Sequence, residues 1–143
     1  MTERHLPDDP PTAAQVAAAR ADVEAAVDLA GETVPLREAA TVVGLAGSVT
    51  TVAAMALGLG EYDPAAIHHS VISTDDVHDV TARLLAMTHA ERAALPFMHP
   101  GRVDVIGAGA LVLSVVLERS GASSVLVSEH DILDGIAWSL LDS

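Results

Sequence analysis

The sequence predicts an α/β domain with few strands, parallel to one another and flanked by helices. Two stretches rich in β-branched and aliphatic residues, 41–45 and 123–128, each end in a turn that leads directly into a helix-compatible segment. The residues between them carry helical caps and helical spacing of apolar side chains. The apolar content is aliphatic: half of the 143 residues are hydrophobic, yet the aromatic residues are only Tyr62, Phe97 and Trp138. That composition suits helices laid on a small sheet better than an all-β sandwich.

Residues 1–11 are polar and proline-bearing and read as an arm rather than as an element. Thr12-Ala-Ala-Gln15 has the capping-box pattern, so a helix is expected over 12–30, stopped by Gly31. Val16, Ala19, Val23, Val27 and Ala30 fall on its apolar face, and the Arg20–Glu24 pair belongs to its solvated face. Thr41-Val-Val43 favours a strand, and a helix follows over 49–57, ended by Gly58 and Gly60. Tyr62-Asp-Pro64 turns the chain, and 67–73 suits a short strand or an irregular crossing segment.

Thr74-Asp-Asp-Val77 opens a helix to about Met87, with Val77, Val80 and Leu84 inward and Asp75 and Asp76 at its positive end. Thr88-His-Ala-Glu91 is a second capping box, opening a short helix that stops before Pro96. After a loop over 97–101, Arg102-Val-Asp104 leads into a long helix over 105–118. That helix is apolar on all sides, with Gly107 and Gly109 allowing close approach near its start. The second β-rich run then passes through Glu129-His-Asp131 into a final helix, 132–141.

The most informative stretch is Val43-Gly-Leu-Ala-Gly-Ser48. Gly44 and Gly47 permit unusual backbone angles and leave main-chain N–H groups uncovered, Ala46 lies between them, and Ser48 is placed as an N-cap. A strand, a glycine turn and a helix N-terminus form an anion cradle. They equally form an ordinary tight strand-to-helix turn. The pattern is no Walker A, because the chain has no lysine. In a parallel sheet the turns at 44–48 and 128–135 share one edge, where α/β ligands collect.

With 20 acidic residues against 7 arginines the formal charge is −13, which disfavours DNA, RNA and anionic membrane surfaces as partners. The lack of cysteine removes thiolate sites and fits a cytoplasmic location. No run is apolar enough for a membrane span, and the N-terminus has no signal-peptide pattern. His5, His68, His69, His78, His89, His99 and His130 lack metal-ligand spacing, so no metal site is expected. Arg102 and Asp104 could orient a ligand, but a local ion pair at a helix start explains them as well. Asp131 and Asp134 could meet a cation carried by phosphate, and Asp131 is better explained as the cap of the last helix.

Three segments together carry a resemblance: Val43-Gly-Leu-Ala-Gly-Ser-Val-Thr-Thr51, Arg102-Val-Asp-Val-Ile-Gly-Ala-Gly109 and Val127-Ser-Glu-His-Asp-Ile-Leu-Asp-Gly135. In order and spacing they resemble the C-terminal part of the exopolyphosphatase/guanosine pentaphosphate phosphatase (Ppx/GppA) family, over about residues 1–140. The resemblance implies part of the second domain of a sugar-kinase/actin-like (ribonuclease H-like) fold, with 12–143 as a C-terminal portion. It implies Mg²⁺-dependent hydrolysis of terminal phosphate from inorganic polyphosphate or guanosine pentaphosphate. Carried over to this sequence, Gly44, Ala46, Gly47, Ser48 and Gly109 would bind phosphate, and Ser128, Asp131 and Gly135 would form a second loop at the cleft. The family's first phosphate loop, its glutamate base and its metal ligands match nothing in this chain, so no catalytic residue is assigned. Ser48 stands where the family usually has Thr. Asp131 and Leu133 stand where it often has Gly and Arg, which counts against an anion contact by the final turn.

Two functional readings follow. One is part of a phosphatase, a single cleft wall inactive alone that associates with a missing N-terminal half or as a homodimer. The other is a non-catalytic binding or assembly module with the same fold.

Overall fold

The computed structural model describes residues 1–141. The elements run α1 (Thr2–His5), α2 (Ala13–Gly31), β1 (Val42–Leu45), α3 (Ala46–Ala56), α4 (Pro64–Ile67) and β2 (Val71–Ser73). They continue with α5 (Thr74–Ala86), α6 (His89–Ala93), α7 (Ile106–Ser120), β3 (Ser124–Ser128) and α8 (Ile132–Leu141). Short 3-10 turns occupy Leu36–Glu38 and Pro100–Arg102.

The sheet is three-stranded in the order β1-β3-β2. β1 and β3 are parallel, with Val42 opposite Val125 and Leu45 opposite Ser128, as the two strand-to-helix turns required. The segment left open over 67–73 resolves into α4 and then β2, which runs antiparallel to β3. The sheet is therefore mixed rather than purely parallel. Because β2 is antiparallel to β3, the crossover rule for parallel strands does not constrain it, and the chain returns to β3 through α5, α6 and α7.

One face of the sheet, with Gly44, Ile72, Val125 and Val127, is buried beneath α3, α5 and α7. Its core joins Val52, Ile67, Val77, Leu84, Ile106 and Leu117. Val77, Val80 and Leu84 point inward as their spacing predicts. A second apolar cluster, Ala19, Val23, Leu85, Leu111 and Val115, fixes α2 on the far side of α7. Both capping boxes form, at Thr12 with Gln15 and at Thr88 with Glu91. Ala30, placed on the apolar face by spacing, is exposed, because that face is covered only as far as Val27.

Three further expectations are corrected. Residues 1–11 are not a free arm: α1 forms there, Leu6 is buried, and Asp9 accepts from the His89 N–H and pairs with Arg92 at 3.1 Å. Arg20 does more than face solvent, since it bonds Glu24 on its own helix and Glu118 on α7, which His78 of α5 also approaches at 3.0 Å. Finally, α8 does not pack on the sheet. None of its residues is buried, and Ile132, Trp138 and Leu141 are 74%, 67% and 78% exposed. The opposite sheet face is also bare at Val43, Leu45 and Val71. Among the described residues no helix is long and apolar enough to cross a membrane.

Candidate functional site

The site begins where β1 ends. Helix α3 starts at Ala46, three residues earlier than expected, so Gly47 and Ser48 lie in its first turn rather than in a loop. Leu45 is the N-cap and makes no side-chain cap bond, so Ser48 is not the cap that its position suggested. The backbone also departs from expectation. The left-handed residue is Ala46, with φ of 68°, and neither Gly44 nor Gly47 has positive φ. The glycines serve close approach instead. A Cβ on Gly44 would lie 2.7 Å from Val49 Cγ1 and 2.9 Å from Val125 Cγ2. A Cβ on Gly47 would lie 2.6 Å from Cζ of Arg102.

Arg102 is one of the pair for which the sequence offers both a ligand-orienting role and a local ion pair with Asp104. Here the two diverge: Asp104 reaches His89 at 3.2 Å, whereas the guanidinium lies against the amino end of α3. Its Nη1 donates to Thr51 Oγ1 at 3.1 Å, and the Thr51 hydroxyl in turn donates to the Gly47 carbonyl at 2.7 Å. The guanidinium also lies over the Tyr62 ring, 5.9 Å from its centroid. Among the described residues no ion pair is formed by Arg102, nor by Arg37 or Arg83, while Arg4, Arg20, Arg92 and Arg119 have acidic partners; of the three, Arg102 is the one held at a strand-to-helix turn. The signal that could have found it is the glycine at 47, which leaves room for a large side chain arriving from elsewhere.

Tyr62 ties the two turns together. Its hydroxyl is 2.7 Å from Thr50 Oγ1 and 2.8 Å from Glu129 Oε1. A carboxylate only accepts, so Tyr62 donates to Glu129 and accepts from Thr50. Glu129 follows Ser128, the residue paired with Leu45, so both turns do meet at one sheet edge. The remaining predicted residues separate. Ser48 turns toward α7, where a Cβ on Gly109 would come within 2.8 Å of its own Cβ. Ser48 and Gly109 line a separate cavity of about 370 Å³ with Met1, Glu3, Val105 and Val112. Gly107 faces Leu85 of α5 instead.

The second turn is occupied with itself. Ser128 Oγ accepts from the His130 N–H at 3.1 Å, and Asp131 Oδ1 accepts from the Leu133 N–H at 2.8 Å, as a helix cap does. Asp134 accepts from the Asp131 N–H at 2.8 Å. That bond, reinforced by His130, holds the Asp134 carboxyl below its ordinary range. Gly135 has open space around it. Its carboxylates being committed in this way, the edge offers no ready cation site. Among the described residues no cluster of three or more His, Asp or Glu side chains could hold a metal ion. The residues present therefore do not fit the Mg²⁺ that the resemblance implies.

The geometry is that of an α/β edge with the Arg102 guanidinium against the first turn of α3, and the chain as a whole has known counterparts. The Ppx/GppA phosphatase family model matches residues 1–143. Exopolyphosphatase 2 of Mycobacterium tuberculosis is 51% identical over 144 residues, covering 98% of this chain and 45% of its own length. An exopolyphosphatase-like protein of known structure superposes with a TM-score of 0.92 at 44% identity, over 96% of this chain and 46% of that one. The Aquifex aeolicus Ppx/GppA structure gives 0.88 at 25% identity, over 98% and 44%. The chain thus spans about half the length of the relatives it matches. Its strand-to-helix turns, its mixed sheet and these similarities make it a member of the Ppx/GppA phosphatase family, a C-terminal part with the actin-like ATPase fold.

Proposed function

We propose that this chain supplies one wall of the phosphate cleft of a phosphatase that removes terminal phosphate from inorganic polyphosphate or guanosine pentaphosphate, and that it does not turn over alone. Arg102 carries the reading. A cation without an acidic partner is costly to keep beside a helix N-terminus, whose own dipole is positive, unless an anion sits there. In a chain of formal charge −13 such a placement is not a by-product of composition. The N–H groups of Gly47 and its neighbours and the Arg102 guanidinium are the donors, with Thr51 and Tyr62 fixing the guanidinium.

Phosphoryl transfer also requires charge neutralisation from a metal and a residue that orients water. This chain offers neither, so Mg²⁺ and the base would come from elsewhere in the assembly. The bare sheet face and α8 favour association, either with the preceding half of the family fold or with a second copy. The same exposed surface is what favours the second reading, a non-catalytic assembly module.

The test is phosphate release from polyphosphate with Mg²⁺. It compares the 143-residue chain, a version extended by the upstream half that the relatives possess, and Arg102→Gln in that longer version. The short chain is expected to be inactive and the substitution to cost at least about tenfold, the scale of one charge-assisted contact. Hydrolysis by the short chain, or indifference of the long one to Arg102→Gln, refutes the reading.

A further inference from the structure

We propose that His68, packed against His69 and His130, is a proton-operated latch on the turn joining β3 to α8. At neutral pH His68 Nδ1 accepts the Glu129 main-chain N–H at 3.2 Å, which requires the proton of the neutral ring to reside on Nε2. The His69 ring stacks on it with centroids 3.7 Å apart, and the His130 ring meets it edge-on at 4.7 Å. His69 reaches this position through a left-handed backbone, φ 65°, while its N–H bonds the Val127 carbonyl at 2.8 Å. The histidine pair is thereby pinned to the end of β3. No membership in the phosphate cleft explains this arrangement.

Protonation would turn Nδ1 into a donor facing a donor and break the bond to Glu129. It would also place a charge against two further imidazoles. Desolvation, then His69, then His130 oppose the charged form, with the Glu129 carboxylate alone favouring it, so the His68 pKa lies below its ordinary 6.5. The sign follows from that depression: the latch is fully closed above the ordinary value and is lost as pH falls through the lower folded one. The other ionisable groups facing this cluster are Asp134, 3.3 Å from His130 Nδ1, and Tyr62, bonded to Glu129.

The consequence reaches the first turn. Glu129 orders Tyr62, and the Tyr62 ring lies under Arg102. Release of Glu129 therefore loosens the support of the guanidinium. This last link rests on the anion-binding reading above, whereas the latch itself does not.

The experiment follows backbone amide shifts of the ¹⁵N-labelled chain from about pH 8 to about pH 5. The Glu129 amide should titrate with a midpoint below the ordinary imidazole value. His130→Asn should raise that midpoint by removing a like charge. His68→Asn, whose side-chain oxygen takes the place of Nδ1 and cannot charge, should keep the turn and abolish the shift. A Glu129 amide that does not move, or that moves equally in His68→Asn, overturns the latch. A second arm measures inorganic pyrophosphate binding at both ends of the range. Weakening at low pH in the wild type relative to His68→Asn supports the coupling to Arg102, and equal weakening in both overturns it. Absence of binding at either pH refutes the anion reading and the coupling with it, leaving the amide titration to decide the latch.

Discussion

Gly44 and Gly47 stand three residues apart in one turn, and the structure predicts opposite results for the same substitution at each. A Cβ at Gly44 would overlap Val49 Cγ1 at 2.7 Å and Val125 Cγ2 at 2.9 Å. Val125 is 1% exposed at the centre of the sheet, and a β-branched side chain there has no free rotamer to retreat into. Overpacking of this kind costs about 1–3 kcal/mol. For a chain of this size that corresponds to a fall of about 3–10 °C in Tm. At Gly47 the added carbon meets only the far end of Arg102, which can swing into solvent, and alanine is the better helix former by up to about 1 kcal/mol. Gly47→Ala should therefore leave urea and thermal stability unchanged or slightly raised while displacing the guanidinium from Thr51. The assay is paired: equilibrium unfolding of both variants, and pyrophosphate binding by calorimetry on the one that stays folded. The reasoning fails if Gly44→Ala is as stable as wild type, or if Gly47→Ala unfolds as readily as Gly44→Ala. Retained anion affinity in Gly47→Ala would falsify the role given to Arg102.

Gly109→Ala should destabilise by about 1–3 kcal/mol, because the new carbon would overlap Ser48, and Ser48→Gly in the same chain should recover most of the loss; a urea titration of the two variants checks both. Glu118→Gln removes the negative charge, and one of the two acceptor oxygens, that Arg20 and His78 share across α2, α5 and α7. As these side chains are about a third exposed, the cost in thermal unfolding should stay within about 1 kcal/mol, and a larger loss would show the network to be a core feature.

The legible part of the fold was whatever local chemistry encodes. The capping boxes at Thr12 and Thr88, the inward spacing of Val77, Val80 and Leu84, and the two strand-to-helix turns are each written within a few residues, and each formed. What failed depended on distant neighbours. The direction of β2 is decided by β3, which lies about fifty residues further on, so a three-residue run could not announce it. The start of α3 moved because Ala46 takes the left-handed angle that glycine was expected to supply, leaving both glycines free to accommodate Val49, Val125 and Arg102. Residues 1–11 lacked any periodic signal. They dock through Leu6 and Asp9 onto partners as remote as Arg92.

The site shows the same division with a functional consequence. A motif read along the chain groups Gly44, Ala46, Gly47, Ser48 and Gly109 as one phosphate cradle. In space, consecutive residues of a helix point about a quarter-turn apart, so Gly47 and Ser48 cannot both face the same ligand through their side chains. Gly47 opens toward Arg102, and Ser48 turns to Gly109 and the separate cavity beside α1. The motif therefore has two tasks. Ser48 and Gly109 bring α3 and α7 into contact at their N-terminal ends, which sets where the main-chain donors of α3 point. Gly47 makes room for the Arg102 guanidinium. Arg102 stands on the residues just before α7, so the α3–α7 contact at Ser48 and Gly109 also fixes the distance between the guanidinium and the turn. On the proposed reading, donors from the first turn of α3 and from Arg102 form one side only, and an opposing wall would be needed to enclose a phosphate chain, as expected of half a cleft.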